Sequence, residues 1–338
     1  MQKASFLYQL TGALLLVAAL QGCRKENGID NNNVIKRPYG LYVADAQGTL
    51  YNTSNGRDYK LVFPPDGYAP RAILTAGTNL LWIKHNVHLS LNGGNNFNPT
   101  DTTVVDSISW QPIILKVPSH GRVYLCTDSA YGLKCSEDNG KTWFADTLWN
   151  ISTDPVLVRM TSLAQLRNGA LFGYDHMNHK LYKRGGGKDD RWVEVAVSTT
   201  LPDTGKFYLS HFNDILLLTD YTGAGGVWHS ENQGAGWSQY GGLPQRRLFA
   251  TVAPFDKVLL VGTDSLGVYS LSGNMFSPIN NGLSPNTSVR GIAGKDDIYK
   301  NDLVQDYFYI ATSTGVFSSA DEGENWIEVF PGDFTAIY

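Results

Sequence analysis

The stretch CSEDNGKTWFAD, residues 135–146, places Asp138, Asn139, Gly140 and Trp143 within six positions. Such a polar turn is either chemistry, with a carboxylate poised to act, or architecture. It returns near the end of the chain as SSADEGENWIEV, residues 318–329, so it serves more than one place. Aligning the chain on the aromatic that closes each turn brings out further copies. Trp143 closes SEDNGKTW, Trp237 closes SENQGAGW, Trp326 closes SADEGENW and Phe97 closes SLNGGNNF. Worn copies end at Tyr59, Trp192 and Phe276. The spacing is roughly 45 residues, the length of one four-stranded propeller blade.

Each unit also carries four strand-like runs. In the fourth, MTSLAQLRNG leads into an Asn-Gly turn, followed by ALFGYDH, HKLYKRG and RWVEVAV. Asn-Gly between alternating runs is a hairpin signal. Second runs such as KVLLVGTD and YFYIATST are nearly all apolar, as central strands buried between neighbouring blades must be. The expected fold is therefore all-β, a single seven-bladed propeller of four-stranded antiparallel blades over residues 39–338. The first unit opens at YGLYVAD, which matches a second strand, while GDFTAIY, residues 332–338, is left over after the last unit. The C-terminal segment is expected to supply the missing inner strand and close the ring.

The pattern Ser-x-Asp-x-Gly-x-x-Trp resembles the Asp-box, or BNR repeat, of sialidases and other β-propellers. Ser136, Asp138, Gly140 and Trp143 match it fully, as do Ser319, Asp321, Gly323 and Trp326. Ser90, Asn92, Gly94 and Phe97, and Ser230, Asn232, Gly234 and Trp237, carry Asn for Asp. Asp or Asn can accept bonds from N–H groups of its own turn, Gly permits a left-handed backbone, and Trp covers the hairpin with apolar surface. A catalytic carboxylate would tolerate Asn badly, so the box is read as structural. In the family it lies between third and fourth strands, away from the face where propellers bind ligands.

Residues 1–22 read as an export signal: Lys3 precedes the apolar run Leu10–Leu20, which is too short to span a bilayer. LQGC, residues 20–23, resembles the lipobox of bacterial lipoproteins, with Gln21 in place of the usual small residue. The resemblance implies acylation of Cys23 and anchoring in the outer membrane of a Gram-negative bacterium; an ordinary secretory signal with a chance Cys is the alternative. Residues 23–38, polar and Asn-rich, read as a flexible tether. Net charge −4 and a pI near 6.0 argue against nucleic acid as a partner. Cys126 and Cys135 flank TDSAYGLK; a turn centred between Ala130 and Tyr131 would set them opposite one another as a disulfide, and two separate buried thiols are the alternative.

Sialidase chemistry needs converging arginines and an F-R-I-P-type signature, and the chain offers only IKRPYG before the first blade. Two-propeller endoglucanases would need a second domain. A single propeller on a tether is most similar to the photosystem II assembly-factor and sortilin-like group, which bind proteins or peptides. The function expected is non-catalytic binding of a protein or glycan, with no cofactor and no metal. The alternative is a carbohydrate-active enzyme acting on extracellular polysaccharide, which would place two carboxylates roughly 5–10 Å apart in the central funnel. Ligand-face candidates are Trp110, Asp146, Trp149, Tyr174, His176, Tyr221 and Arg246. The pairs His85/His88 and His176/His179 fall in turns of non-adjacent blades with no third ligand beside them, so solvated histidines are expected.

Overall fold

The computed structural model describes residues 34–36 and 40–338, apart from 71, 77–78, 85–86, 95, 102–113, 117–120, 127–132, 147–159, 176–177, 188–189, 198–205, 223 and 300–303. Cys23, Trp110, Trp149 and His176 lie outside the described residues. In chain order the strands are β1 (Val34–Lys36), β2 (Leu41–Asp45), β3 (Leu50–Thr53) and β4 (Lys60–Phe63). Next come β5 (Ala72–Ala76), β6 (Asn79–Ile83), β7 (Val87–Ser90) and β8 (Asn98–Asp101), then β9 (Ile114–Lys116), β10 (Val123–Cys126), β11 (Leu133–Ser136) and β12 (Phe144–Ala145). The fourth and fifth quartets are β13 (Ser162–Gln165), β14 (Leu171–Asp175), β15 (Lys180–Arg184), β16 (Val193–Glu194), β17 (Phe207–Phe212), β18 (Ile215–Asp220), β19 (Val227–Ser230) and β20 (Ser238–Gln239). The last are β21 (Leu248–Val252), β22 (Leu260–Thr263), β23 (Val268–Ser272), β24 (Met275–Pro278), β25 (Val289–Tyr299), β26 (Val304–Thr312), β27 (Gly315–Ser319), β28 (Ile327–Pro331) and β29 (Phe334–Ile337).

Among the described residues these strands form seven antiparallel sheets, one per blade of a ring. Blade 1 has the order β29-β2-β3-β4, so the C-terminal strand is its innermost member. Val43 pairs with Ile337 and Ala44 with Ala336, and Tyr42 and Tyr338 exchange backbone bonds of 2.9 Å. Blades 2 to 6 are consecutive quartets, and blade 7 is β25 to β28. Beside these quartets, β1 pairs with Ile298 and Tyr299 at the end of the long β25.

The core is divided among the blade interfaces. Leu41 and Val43 of β2 join Tyr309, Ala311 and Val316 of blade 7, whereas Tyr42 and Ala44 face Leu80 and Trp82 of blade 2. Similar clusters fill the other interfaces, for example Tyr124, Cys126 and Cys135 against Leu163, Leu171 and Tyr182 between blades 3 and 4. Alternate side chains of a second strand thus enter two different interfaces, which is why these strands are apolar throughout.

The clasp turns all join third to fourth strands. In the first, Ser136 Oγ donates to Asp138 Oδ1 at 2.8 Å and accepts the Gly140 N–H at 2.7 Å, while Lys141 and Thr142 N–H donate to Asp138 Oδ1. Ser90/Asn92, Ser230/Asn232 and Ser319/Asp321 repeat this geometry, and so does the worn Thr53/Asn55 pair. The carbonyl oxygen does the work, so Asn substitutes for Asp. Each glycine is left-handed, and so is the residue before it: Gly93, Asn139, Gln233 and Glu322 have φ of 67°, 57°, 58° and 59°. The glycines also abut the preceding blade: a Cβ on Gly140 would collide with Leu81, and one on Gly234 with Leu181. Trp326 Nε1 donates to Ile279 O of blade 6 at 2.8 Å. The turns therefore join neighbouring blades as well as closing their own hairpins.

Cys126 and Cys135 are both buried and no disulfide joins them. Cys126 pairs with Leu133 and Cys135 with Tyr124, so the two lie two residues apart in register. Of the two alternatives left open for this pair, the register agrees with two separate buried thiols.

Candidate functional site

The first strand of each blade runs inward of the others, and six of these strands line an open cavity of about 350 Å³. Its wall takes residues from β5, β13, β17, β21, β25 and β29. Leu163, Leu209, Ala250, Ile292 and Ile337 give it an aliphatic character, interrupted by Gln165, Ser210, His211, Arg290 and Thr335. No Asp or Glu is among the described lining residues. The volume lies at the lower end of the range for small-molecule sites, about 300–1,000 Å³.

Several lining groups are already committed. Tyr208 Oη and Thr219 Oγ1 both donate to Thr251 Oγ1 at 2.9 Å, Gln165 Nε2 donates to Gly169 O at 3.2 Å, and Leu209 N–H donates to Ser162 Oγ of the preceding blade at 2.7 Å. Burial pushes the Tyr208 phenol up to about 12, with the bonds to Thr251 and Thr219 opposing the shift. Arg290 binds Asp333 and donates Nη1 to Phe334 O at 3.2 Å, tying blade 7 to the closing strand. Ser210 Oγ and His211 Nδ1 are buried without a partner among the described residues.

Acidic side chains on the face formed by the second-to-third turns serve those turns. Asp45 Oδ1 accepts from Gln47 and Thr49 N–H; Asp175 accepts from Asn178; the buried Asp220 accepts from Thr222 N–H and Gly225 N–H. Thr263 and Thr312 hold the equivalent turns of blades 6 and 7 by donating to Gly267 O and Gly315 O. This second set of repeated turn caps was not recognised from the sequence. Its signal, in blades 1, 5, 6 and 7, is an Asp or Thr ending the second run with Gly a few residues on, as in TDYTG and TDSLG.

The ligand-face candidates among the described residues, Asp146, Tyr174, Tyr221 and Arg246, lie in different settings. Asp146 sits between blades 3 and 4, where Arg184 Nη1 donates to its Oδ2 at 3.2 Å and to Tyr124 Oη at 2.9 Å. Burial raises its carboxyl above the ordinary range, against the pull of Arg184. It is an interblade ion pair rather than a face group. Tyr174 is fully buried and contacts His179 Nδ1 at 3.2 Å, which removes it from any ligand surface. Tyr221 is half-buried, its ring 5.9 Å from Phe249. Arg246 is exposed. Near the blade 1–2 seam the buried Lys84 bonds Asp66 at 2.7 Å and Gly48 O at 2.9 Å, with its ammonium 3.8 Å from the Trp82 ring. Burial lowers its pKa and Asp66 opposes that shift; burial and Lys84 together lower that of His88.

Comparison with solved structures returns propellers. Ycf48 from Cyanidioschyzon merolae is 13% identical over 80% of this chain and 87% of its own, with a TM-score of 0.54. A structure of Ycf48 bound to D1 peptide is 12% identical over 83% and 88%, with a TM-score of 0.52. A catalytically inactive virginiamycin B lyase from Staphylococcus aureus with quinupristin is 10% identical over 78% and 84%, with a TM-score of 0.54. At these identities the likeness shows the fold alone, and the fold hosts binding proteins and enzymes alike. No family model matches the chain, and no curated protein matches it.

Proposed function

We propose that this protein is a non-catalytic binding propeller, exported and held at the outer membrane by lipid on Cys23, which engages a polypeptide segment through its central cavity and the adjoining loop face. The observation that carries this reading is the cavity wall, aliphatic with hydrogen-bonding side chains and no carboxylate among its described residues. Hydrolysis of a glycosidic bond would use a pair of carboxylates flanking it. The acidic side chains Asp45, Asp175 and Asp220 are engaged in turns. A polypeptide suits the wall because β5, β13, β17, β21 and β29 each end their sheet, and edge strands present peptide groups that another backbone can match. The structure of Ycf48 with D1 peptide gives a propeller of this fold holding a peptide.

The test is affinity capture from envelope extracts, paired with a glycan array, using wild type, Ser210→Trp in the cavity and Asp321→Asn in a clasp turn. A polypeptide retained by wild type and D321N but lost by S210W, at unchanged melting temperature, is expected. Turnover of a polysaccharide, or a glycan retained in place of a polypeptide, would overturn the reading.

A further inference from the structure

The cavity holds hydrogen-bond donors that the ring does not use. Arg290, near the start of β25, employs Nη1 for Asp333 and Phe334 O, and its Nε and Nη2 have no partner among the described residues. On the wall contributed by β17, two blades earlier in the ring, Ser210 Oγ and His211 Nδ1 are buried and likewise unpartnered. A buried donor without an acceptor, as at Ser210, is costly, and native structures match nearly all of them; the Arg290 side chain is partly exposed. All three residues border one cavity whose remaining surface is largely aliphatic and which no described carboxylate lines. Donors from two blades on one largely aliphatic wall suit a ligand with an acceptor at each end and a short hydrocarbon body.

We propose that the cavity is a binding site for a short aliphatic carboxylate carrying a second hydrogen-bond acceptor at its far end. The carboxylate takes the unused edge of the Arg290 guanidinium, whose fork suits two parallel N–H···O bonds. The far acceptor takes the Ser210 hydroxyl, and the chain lies against Ala250 and Ile292. Asp333 sits on the other side of Arg290 and is more than half exposed, so it orients the guanidinium without filling the cavity. This rests on reading the cavity as a binding site, but not on a polypeptide being its occupant.

Titration calorimetry on the full chain tests it with three probes of one length: 5-oxohexanoate, hexanoate and hexanamide. The expected order of affinity is 5-oxohexanoate, hexanoate, hexanamide, with the carboxylate favoured over the amide by about tenfold or more, as loss of a charge-assisted bond implies. Arg290→Gln should erase the preference for acid over amide, and Ser210→Val should erase the preference for the oxo acid over hexanoate. Because Arg290 also ties the ring closure, each variant's melting temperature is measured first; if R290Q fails to fold, S210V decides alone. Equal binding of acid and amide, no binding of any probe, or an order unchanged in S210V would overturn the site. Acid binding without any captured polypeptide would remove the polypeptide reading and keep this site. Capture of a polypeptide with no acid bound would do the reverse.

Discussion

Removing the closing strand should cost far more than removing an ordinary tail. Deleting residues 332–338 takes away β29, whose Phe334 is 2% exposed and packs 5.1 Å from the Phe330 ring. It also breaks the paired 2.9 Å bonds between Tyr42 and Tyr338 and uncovers Leu41 and Val43, both fully buried. Truncating a buried Phe costs about 3–5 kcal/mol. Each ladder bond lost adds on the order of 1 kcal/mol. The total approaches the 5–15 kcal/mol that separates a typical domain from its unfolded state, so the deletion should abolish cooperative folding. Phe334→Ala provides the graded version, about 3–5 kcal/mol, read as a fall of roughly 6–10 °C in Tm by circular dichroism. Ile327→Ala, 68% exposed on the outer strand, is the control and should lie within about 0.5 kcal/mol of wild type. A deletion variant melting within a degree or two of the intact chain would refute the closure.

The clasp turns give further tests. Gly140→Ala should destabilise by about 1–3 kcal/mol, because φ is 91° there and the new Cβ meets Leu81; an unchanged urea midpoint would contradict this. Asp138→Asn should be mild, since Oδ1 carries the backbone bonds, whereas Ser136→Ala removes a buried two-way bond and should cost more. Burial works against ionisation of Asp138, but bonds from the Thr142 N–H and hydroxyl, Ser136 and the Lys141 N–H outweigh it and hold the carboxyl below its usual range. A depressed carboxylate stabilises above the unfolded pKa, about 3.9, and that contribution is lost as pH falls through the folded value. The stability gap between wild type and D138N should therefore narrow below about pH 4. Burial pushes the Cys135 thiol up to about 12, so it should resist thiol reagents in the native protein; in denaturant Cys126 and Cys135 should both titrate as thiols without prior reduction.

The blade plan was legible because the clasp leaves a mark in every unit, even where Thr53 and Asn55 replace Ser and Asp. Closure was legible from the surplus GDFTAIY at one end and the missing inner strand at the other. The Cys126–Cys135 register was not, since a hairpin without a defining turn dipeptide can be centred on either of two positions. Asp146 misled for a different reason: its partner Arg184 lies 38 residues on, in the next blade. The cavity was the least legible feature. Ser210, His211 and Arg290 sit in ordinary strand runs, and only the ring brings six distant inner strands to one space.

Hydrogen exchange on the complex with the captured partner tests most directly whether binding lies at the cavity and away from the clasps. Added protection is predicted for the inner strands at 162–165, 207–212 and 289–292, with the clasp turns at 136–143, 230–237 and 319–326 unchanged. Protection confined to those clasp turns would contradict it.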